Sequence, residues 1–171
     1  SARKAIMQYS QVKGLPNVQM EHIYTGNGVS ELIQLSMHAL LDDGDEILIP
    51  SPDYPLWTAC ATLAGGHPVH YLCDEQADWY PDIADMESKI SDRTKALVII
   101  NPNNPTGSLI TPDKLKTILT HCKETNTYVM IDETYIEFVP DVDELSAIPL
   151  TELFDNVIIL RGTSKFFATP G

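Results

Sequence analysis

The stretch that most constrains the fold is Ala96-Leu97-Val98-Ile99-Ile100, in which every side chain is apolar. A strand with one face in water alternates apolar and polar residues, whereas an uninterrupted apolar run is typical of a strand buried on both faces. Such strands occur in parallel sheets that helices cover on each side. The run therefore predicts an α/β, three-layer fold, with a mainly parallel sheet and helices on both faces.

The rest of the chain alternates strand and helix patterns, as crossovers between parallel strands require. Strands are predicted at residues 22–25, 46–50, 68–73, 96–100, 128–131 and 157–160. Helices are predicted at residues 1–12 and 29–41, from the turn at 51–55 to near Gly65, at 82–90, and from Thr111-Pro112-Asp113 onward. Residues 14–17 are expected to form a turn and residues 140–151 an acidic loop. No linker or repeat divides the chain, so residues 1–171 are expected to form one domain.

The composition argues against several function classes. With 24 acidic against 11 basic residues, the formal net charge is -13, which would repel a nucleic-acid backbone. No apolar run is long enough to span a membrane, and the chain is expected to be cytoplasmic. The cysteines are odd in number and far apart, so they indicate neither a disulfide framework nor a zinc site. The histidines form no HExxH pattern, and no metal is expected.

A glycine-rich segment precedes the second predicted helix, at the edge of the sheet where α/β folds bind ligands. The backbone N–H groups of Gly26-Asn27-Gly28 and the positive end of the helix could hold a phosphate. A simple tight turn explains this sequence equally well. The segment is not a dinucleotide fingerprint, because Glu31 replaces the third glycine of GxGxxG, and it is not a Walker A loop. One phosphate fits it better than two.

Four side chains that follow other strands suit a flat, charged ring. Tyr54, in a proline-bounded turn, could stack on the ring or could plug the end of the sheet. Asn104 could donate a hydrogen bond, although asparagine in such a turn also serves turn geometry. Asp132 ends an apolar strand, so its carboxylate needs a cationic partner, such as a protonated pyridine nitrogen. Tyr135 could reach the same ligand or could be a packing residue.

One ligand satisfies this set of residues. Pyridoxal 5′-phosphate carries one phosphate, a basic ring nitrogen, a phenolic oxygen and an aldehyde. The aldehyde would explain Lys165, which lies in the segment Arg161-Gly162-Thr163-Ser164-Lys165-Phe166-Phe167 and could form a Schiff base. A lone lysine after a strand is more often an ordinary surface cation, but the other residues of the set favour the covalent role.

These motifs resemble the large domain of the fold-type I pyridoxal-phosphate-dependent aminotransferases over nearly the whole chain. Residues 1 to about 110 are similar to the glutamate–pyruvate (alanine) aminotransferases, through Gly-Asn-Gly-Val-Ser-Glu-Leu, Pro-Ser-Pro-Asp-Tyr-Pro-Leu-Trp and Ile-Ile-Asn-Pro-Asn-Asn-Pro-Thr-Gly. The last third resembles histidinol-phosphate aminotransferases and threonine-phosphate decarboxylases, through Asp-Glu-Thr-Tyr and Arg-Gly-Thr-Ser-Lys-Phe-Phe-Ala-Thr-Pro-Gly.

The resemblance implies a role for each residue of the set. Lys165 would be the Schiff-base lysine and the catalytic base, and Asp132 would keep the ring nitrogen protonated. Tyr135 and Asn104 would bond the phenolic oxygen, and Tyr54 would stack on the ring. The phosphate would lie among Asn27, Gly28, Val29 and Ser164.

The resemblance also implies differences from intact relatives. Relatives often have Ser or Thr three residues before the lysine, where this chain has Gly162 beside Thr163. Relatives also carry an N-terminal segment, a further large-domain strand and a small C-terminal domain, so the chain is expected to be a partial large domain. The further strand lies between the strands that end at Thr25 and Leu160. Those two are therefore not expected to pair normally here, and the site is expected to be incomplete.

The implied activity is transamination between an amino acid and a 2-oxo acid, in a biosynthetic process, by an intact enzyme that is a homodimer. A pyridoxal-phosphate lyase or decarboxylase on the same scaffold would use the same cofactor residues. A noncatalytic, truncated fragment would bind nothing. The sequence alone leaves these alternatives open.

Overall fold

A computed structural model describes residues 1–16 and 18–169; Asn17 of the predicted turn and Pro170 and Gly171 of the last motif lie outside the described residues. The helices in this part of the chain are α1 Ala2–Val12, α2 Gly28–Leu40, α3 Leu56–Leu63, α4 Ile83–Lys89, α5 Pro112–Glu124 and α6 Val142–Leu145. The strands are β1 Glu46–Ser51, β2 His67–Asp74, β3 Tyr80–Pro81, β4 Thr94–Ile100, β5 Tyr128–Asp132 and β6 Val157–Leu160. None of these helices is long and apolar enough to cross a membrane.

One sheet organises the described residues, with the strand order β3-β2-β1-β4-β5-β6. Neighbouring strands are parallel, except that β3 pairs antiparallel with β2. The chain passes from β1 outward to β2 and then returns to place β4 on the other side of β1. This reversal opens a crevice beyond the carboxyl ends of β1 and β4, which is the usual ligand position in such sheets.

Each face of the sheet has its own apolar core, because successive side chains of a strand point to opposite faces. On one face, Ile47 and Ile49 pack with side chains of α2 and α3. On the other face, Leu48 and Leu97 pack with side chains of α4 and α5. Both faces are covered, which confirms the predicted three-layer α/β fold.

The strand predicted at residues 22–25 is wrong. The structure has a short 3₁₀ helix at Met20–His22; Ile23 is extended, but residues 23–25 belong to no described strand. A strand forms only by pairing, and no described strand lies beside this segment. Within the described residues, β6 pairs only with β5, in line with the expectation that these two segments do not pair here.

The prediction of a loop at residues 140–151 is also wrong. The region contains α6 and a 3₁₀ helix at Ile148–Glu152, and Ala147 and Leu150 are buried in the core. The buried apolar residues of this region are spaced apart, and the acidic residues of α6 obscured their pattern in the sequence. The two-residue strand β3 was not predicted, because so short a run carries no periodicity.

Candidate functional site

Asp132, the last residue of β5, is a carboxylate that the fold buries without a cation. Its side chain is 5% exposed, and it forms no ion pair with any described residue. Oδ1 accepts hydrogen bonds from the backbone N–H of Thr134, at 3.0 Å, and from the Thr134 hydroxyl. Burial raises the pKa of the Asp132 carboxyl, and the hydrogen bonds from Thr134 and Trp57 oppose this shift. A bound cation would therefore stabilise the charged form of this carboxyl.

The remaining oxygen of Asp132 meets a residue that sequence reasoning missed. Trp57 of α3 is fully buried, and its indole Nε1 donates to Asp132 Oδ2 at 3.4 Å, a long hydrogen bond. The two residues are 75 positions apart, so no local pattern links them. The one available signal was that a buried tryptophan needs an acceptor for its N–H group. The backbone N–H of Trp57 donates to the carbonyl of Tyr54 at 3.1 Å, which fixes the turn that carries Tyr54.

The segment after β4 contains three asparagines. Two of them form side-chain hydrogen bonds that hold the turn, and the third does not. Asn101 bonds Ile110 through both side-chain atoms, at 3.0 and 2.7 Å. Asn103 accepts hydrogen bonds from the N–H and hydroxyl groups of Thr106, at 3.1 and 2.8 Å. The amide of Asn104 has no partner among the described residues and is half-buried. Turn geometry therefore accounts for the first two asparagines and not for Asn104.

The start of α2 provides backbone donors. Gly28 adopts a φ of +75°, which favours glycine, and no side chain caps the helix. The first helical N–H groups, from Val29 onward, therefore have no helical acceptor. The Asn27 N–H is already taken by the carboxylate of Glu31, at 2.5 Å, and the Asn27 amide reaches the same carboxylate at 3.5 Å.

The loop after β6 lies against this helix start. A Cβ atom at Gly162 would lie 2.8 Å from Val29 Cγ2, so the valine side chain fills the space in which relatives often have the hydroxyl residue. Thr163 accepts a hydrogen bond from the Thr169 hydroxyl at 3.0 Å, whereas the Ser164 hydroxyl has no described partner. Lys165 is exposed, and its amine makes no hydrogen bond or ion pair with a described residue.

Two tyrosines complete the predicted set. Tyr54 is 41% exposed beyond the end of β1. Tyr135 is half-buried, and its ring lies 6.2 Å from that of Phe138, which in turn contacts Phe166 at 5.3 Å. This aromatic chain places the segment after β5 beside the loop of Lys165. Neither tyrosine hydroxyl has a partner in the described part of the chain.

The structure thus places the predicted residues at one edge of the sheet and leaves several of their polar atoms available. A buried carboxylate, an uncapped helix start and a lysine without a described partner are features of a ligand site at the edge of an α/β sheet. Comparison with known proteins gives its family. The family model described as "Aminotransferase class I and II" matches residues 1–171, and the chain belongs to that family.

Curated relatives and solved structures agree with this assignment. The chain is 48% identical to the glutamate–pyruvate aminotransferase AlaA of Haemophilus influenzae and to the alanine aminotransferase of Mycobacterium bovis, and both alignments include 100% of the chain. These alignments include 42% and 40% of the relatives, so the chain spans about two fifths of their length. A crystal structure of an Escherichia coli aminotransferase, at 49% identity, superposes with a TM-score of 0.87 over 96% of this chain and 41% of that one. The aspartate aminotransferase of Thermotoga maritima gives 0.90 at 26% identity, over 99% and 45%.

Proposed function

We propose that this chain forms the large, cofactor-binding domain of a pyridoxal-phosphate-dependent aminotransferase, which transfers an amino group between an amino acid and a 2-oxo acid. The observation that carries the proposal is Asp132. It is a buried carboxylate that accepts hydrogen bonds from three neutral donors, on Trp57 and Thr134, and has no cation as a partner among the described residues. A protonated pyridine nitrogen supplies the missing charge, and burial strengthens the pairing.

The other groups of pyridoxal 5′-phosphate also find suitable partners in this chain. The phosphate suits the free N–H groups at the start of α2 and the hydroxyl of Ser164, because a helix N-terminus attracts anions. The amide of Asn104 and the hydroxyl of Tyr135 are donors without described partners, as a phenolic oxygen requires. Tyr54 offers an exposed aromatic face for stacking.

When bound, pyridoxal 5′-phosphate supplies an aldehyde that bonds amines and a protonated ring that withdraws electrons. Lys165 is the residue that would hold the aldehyde, with release of water, until the amine of the substrate takes its place. Its freed amine would accept the proton from the substrate carbon and return it to the former aldehyde carbon, two bonds away. Asp132 would hold the proton on the ring nitrogen.

The names of the relatives support the substrate class. Alanine and glutamate–pyruvate aminotransferases at 48% identity favour an amino acid and a 2-oxo acid as the two substrates. We extend the proposal to a cytoplasmic homodimer with a role in biosynthesis, which the resemblance to this family implies. Gel filtration of the purified protein tests the dimer.

The test of the proposal is cofactor binding by an Asp132→Asn variant, followed through the visible absorbance of the cofactor during titration. Loss of the charged hydrogen bond is expected to weaken binding about 10- to 100-fold. The control is Asp155→Asn, because Asp155 is an exposed carboxylate that pairs with Lys123 at 3.0 Å in the turn before β6. Equal affinities of wild type and Asp132→Asn would contradict the proposal.

The reaction type needs a separate measurement. The loaded protein is incubated with alanine or glutamate, and the formation of pyridoxamine 5′-phosphate and a 2-oxo acid is compared with the release of carbon dioxide. Transamination predicts the first pair of products. Carbon dioxide as the main product would identify a decarboxylase on the same fold.

A further inference from the structure

Arg161 joins three segments at the edge of the sheet that carries the candidate site. Its Nε donates to Glu133 Oε2 at 2.9 Å, and its Nη2 donates to Ser146 Oγ at 3.2 Å. Its Nη1 lies 3.5 Å from Glu137 Oε1. The Glu133 side chain is fully buried, and it also accepts hydrogen bonds from Ser146 Oγ, at 3.1 Å, and from the Ala147 N–H. The buried charge of Glu133 is therefore fully compensated.

This ion pair lies one residue beyond the ends of β5 and β6. Asp132 and Leu160 are opposite each other in the parallel ladder, and the Glu133 N–H continues the ladder by donating to the Leu160 carbonyl at 2.8 Å. Glu133 therefore extends this ladder by one residue beyond Asp132. Arg161 is the last residue of the chain fixed by this network before the loop that carries Lys165.

The loop from Arg161 to Lys165 is held at two points. The guanidinium binds to Glu133, and Gly162 packs against Val29 at the start of α2. Lys165 itself has no described partner that would orient its amine. The position of the amine relative to Asp132 therefore depends on these two attachments, together with the contact between Phe166 and Phe138 on the other side of Lys165.

From this geometry we infer that Arg161, clamped by Glu133 and Glu137, is a positioning residue that holds Lys165 within bonding reach of the aldehyde carbon. The inference rests on the proposed function. Arginine suits the task because its planar fork bonds three groups in fixed directions, whereas lysine presents one compact charge on a flexible stem. A guanidinium that only stabilised the fold would affect all properties of the protein in parallel.

A second arginine provides a matched control. Arg93 forms an ion pair with Glu46, whose side chain is almost buried, at the start of β1 and at the opposite end of the sheet. Arg93→Lys and Arg161→Lys therefore make the same chemical change to an arginine that is paired with a buried glutamate, although Arg93 is the more exposed of the two. Only Arg161 is near the candidate site.

The experiment compares two ligands in wild type and both variants. Pyridoxal 5′-phosphate can bond the lysine, whereas pyridoxamine 5′-phosphate has an amine in place of the aldehyde and reports the noncovalent pocket alone. For Arg161→Lys we expect affinity for the aldehyde to fall about 10-fold or more and affinity for the amine to change less than about 2-fold. Arg93→Lys is expected to change neither. Urea unfolding of each variant checks that the folded fraction is the same.

Each other outcome has a definite meaning. If Arg161→Lys weakens both ligands equally, or neither, the positioning role is overturned while the proposed function stands. If wild type binds neither ligand, both the proposed function and this inference are overturned. If Arg161→Lys does not fold, Glu137→Gln makes the milder change. It is expected to weaken the aldehyde ligand alone, by about 2- to 5-fold, because it removes only the outer partner of the guanidinium, and no selective loss would overturn the inference.

Discussion

The two oxygens of Asp132 have unequal surroundings. Oδ1 accepts two hydrogen bonds from Thr134, whereas Oδ2 meets only the indole of Trp57, at 3.4 Å. A carboxylate oxygen can accept more than one hydrogen bond, so Oδ2 retains capacity for a ligand. Trp57 and Thr134 therefore orient the carboxylate, and Oδ2 is the oxygen expected to face the ring nitrogen.

Trp57→Phe is expected to weaken binding of pyridoxal 5′-phosphate by about 2- to 10-fold, because it keeps most of the packing and removes one neutral hydrogen bond. It is also expected to abolish most of the quenching of tryptophan fluorescence by the cofactor. Trp79→Phe is the control, since these are the chain's two tryptophans. Quenching that is lost in Trp79→Phe instead would contradict this account.

Asp132 also predicts a pH dependence of stability. Its pKa is raised on folding, so the folded state binds the proton more tightly, and this contribution favours folding at acid pH. This stabilisation is lost as the pH rises from 3.8, the ordinary pKa of an aspartate side chain, through the raised pKa of the folded state. The free energy of unfolding of wild type minus that of Asp132→Asn should therefore fall over this window in urea titrations.

Asp155 is expected to show the opposite pH dependence of stability in the same experiment. Its pKa is lowered, first by the hydrogen bond from Lys123, so its contribution is present above 3.8 and is lost as the pH falls through the lowered pKa. Parallel pH profiles for Asp132→Asn and Asp155→Asn would show that the surroundings of Asp132 are described wrongly.

Two elements meet at the proposed phosphate side of the site, the start of α2 and the loop after β6. Gly162 permits their contact, because a methyl group there would lie 2.8 Å from Val29 Cγ2. Valine is stiff at χ1, so it cannot easily move aside. The pair explains how this chain accommodates glycine where relatives often have a hydroxyl residue.

Gly162→Ala is expected to destabilise the protein by about 1–3 kcal/mol through overpacking. Val29→Ala in the same chain is expected to recover most of this loss, because it removes the clashing methyl group. Denaturant unfolding of the two single variants and the double variant measures the coupling. Additive effects would mean that the two elements are not in contact.

The sequence was most informative about elements and least informative about their pairing. The apolar run at 96–100 correctly predicted β4 and the three-layer fold, because burial on both faces leaves a composition that can be recognised locally. The segment at 22–25 has strand composition, but none of the described strands lies beside it. Trp57 and Asp132 form a contact across 75 residues, which composition and periodicity do not encode.

At the scale of the whole molecule, two cores separated by one sheet bury all three cysteines. Burial raises the pKa of the Cys122 thiol to about 12 and that of Cys73 to about 11. The thiolate is the reactive species, so less than about 1% of either thiol is reactive at pH 8. We expect both thiols to be labelled by a disulfide reagent only as fast as the protein unfolds, and rapidly in denaturant. Fast labelling of either thiol in native buffer would show that its core is open.

The most direct test of the central claim asks which lysine bonds the cofactor. The protein is incubated with pyridoxal 5′-phosphate, reduced with borohydride and digested, and the modified peptides are quantified by mass spectrometry. Surface lysines such as Lys114, whose amine lies 4.0 Å from the ring of Tyr80, serve as internal controls for random modification. The account predicts saturable modification of Lys165 at cofactor concentrations that leave Lys114 unmodified, and much less of it in Asp132→Asn. Modification spread evenly over the lysines, with Lys165 no more reactive than Lys114, would contradict it.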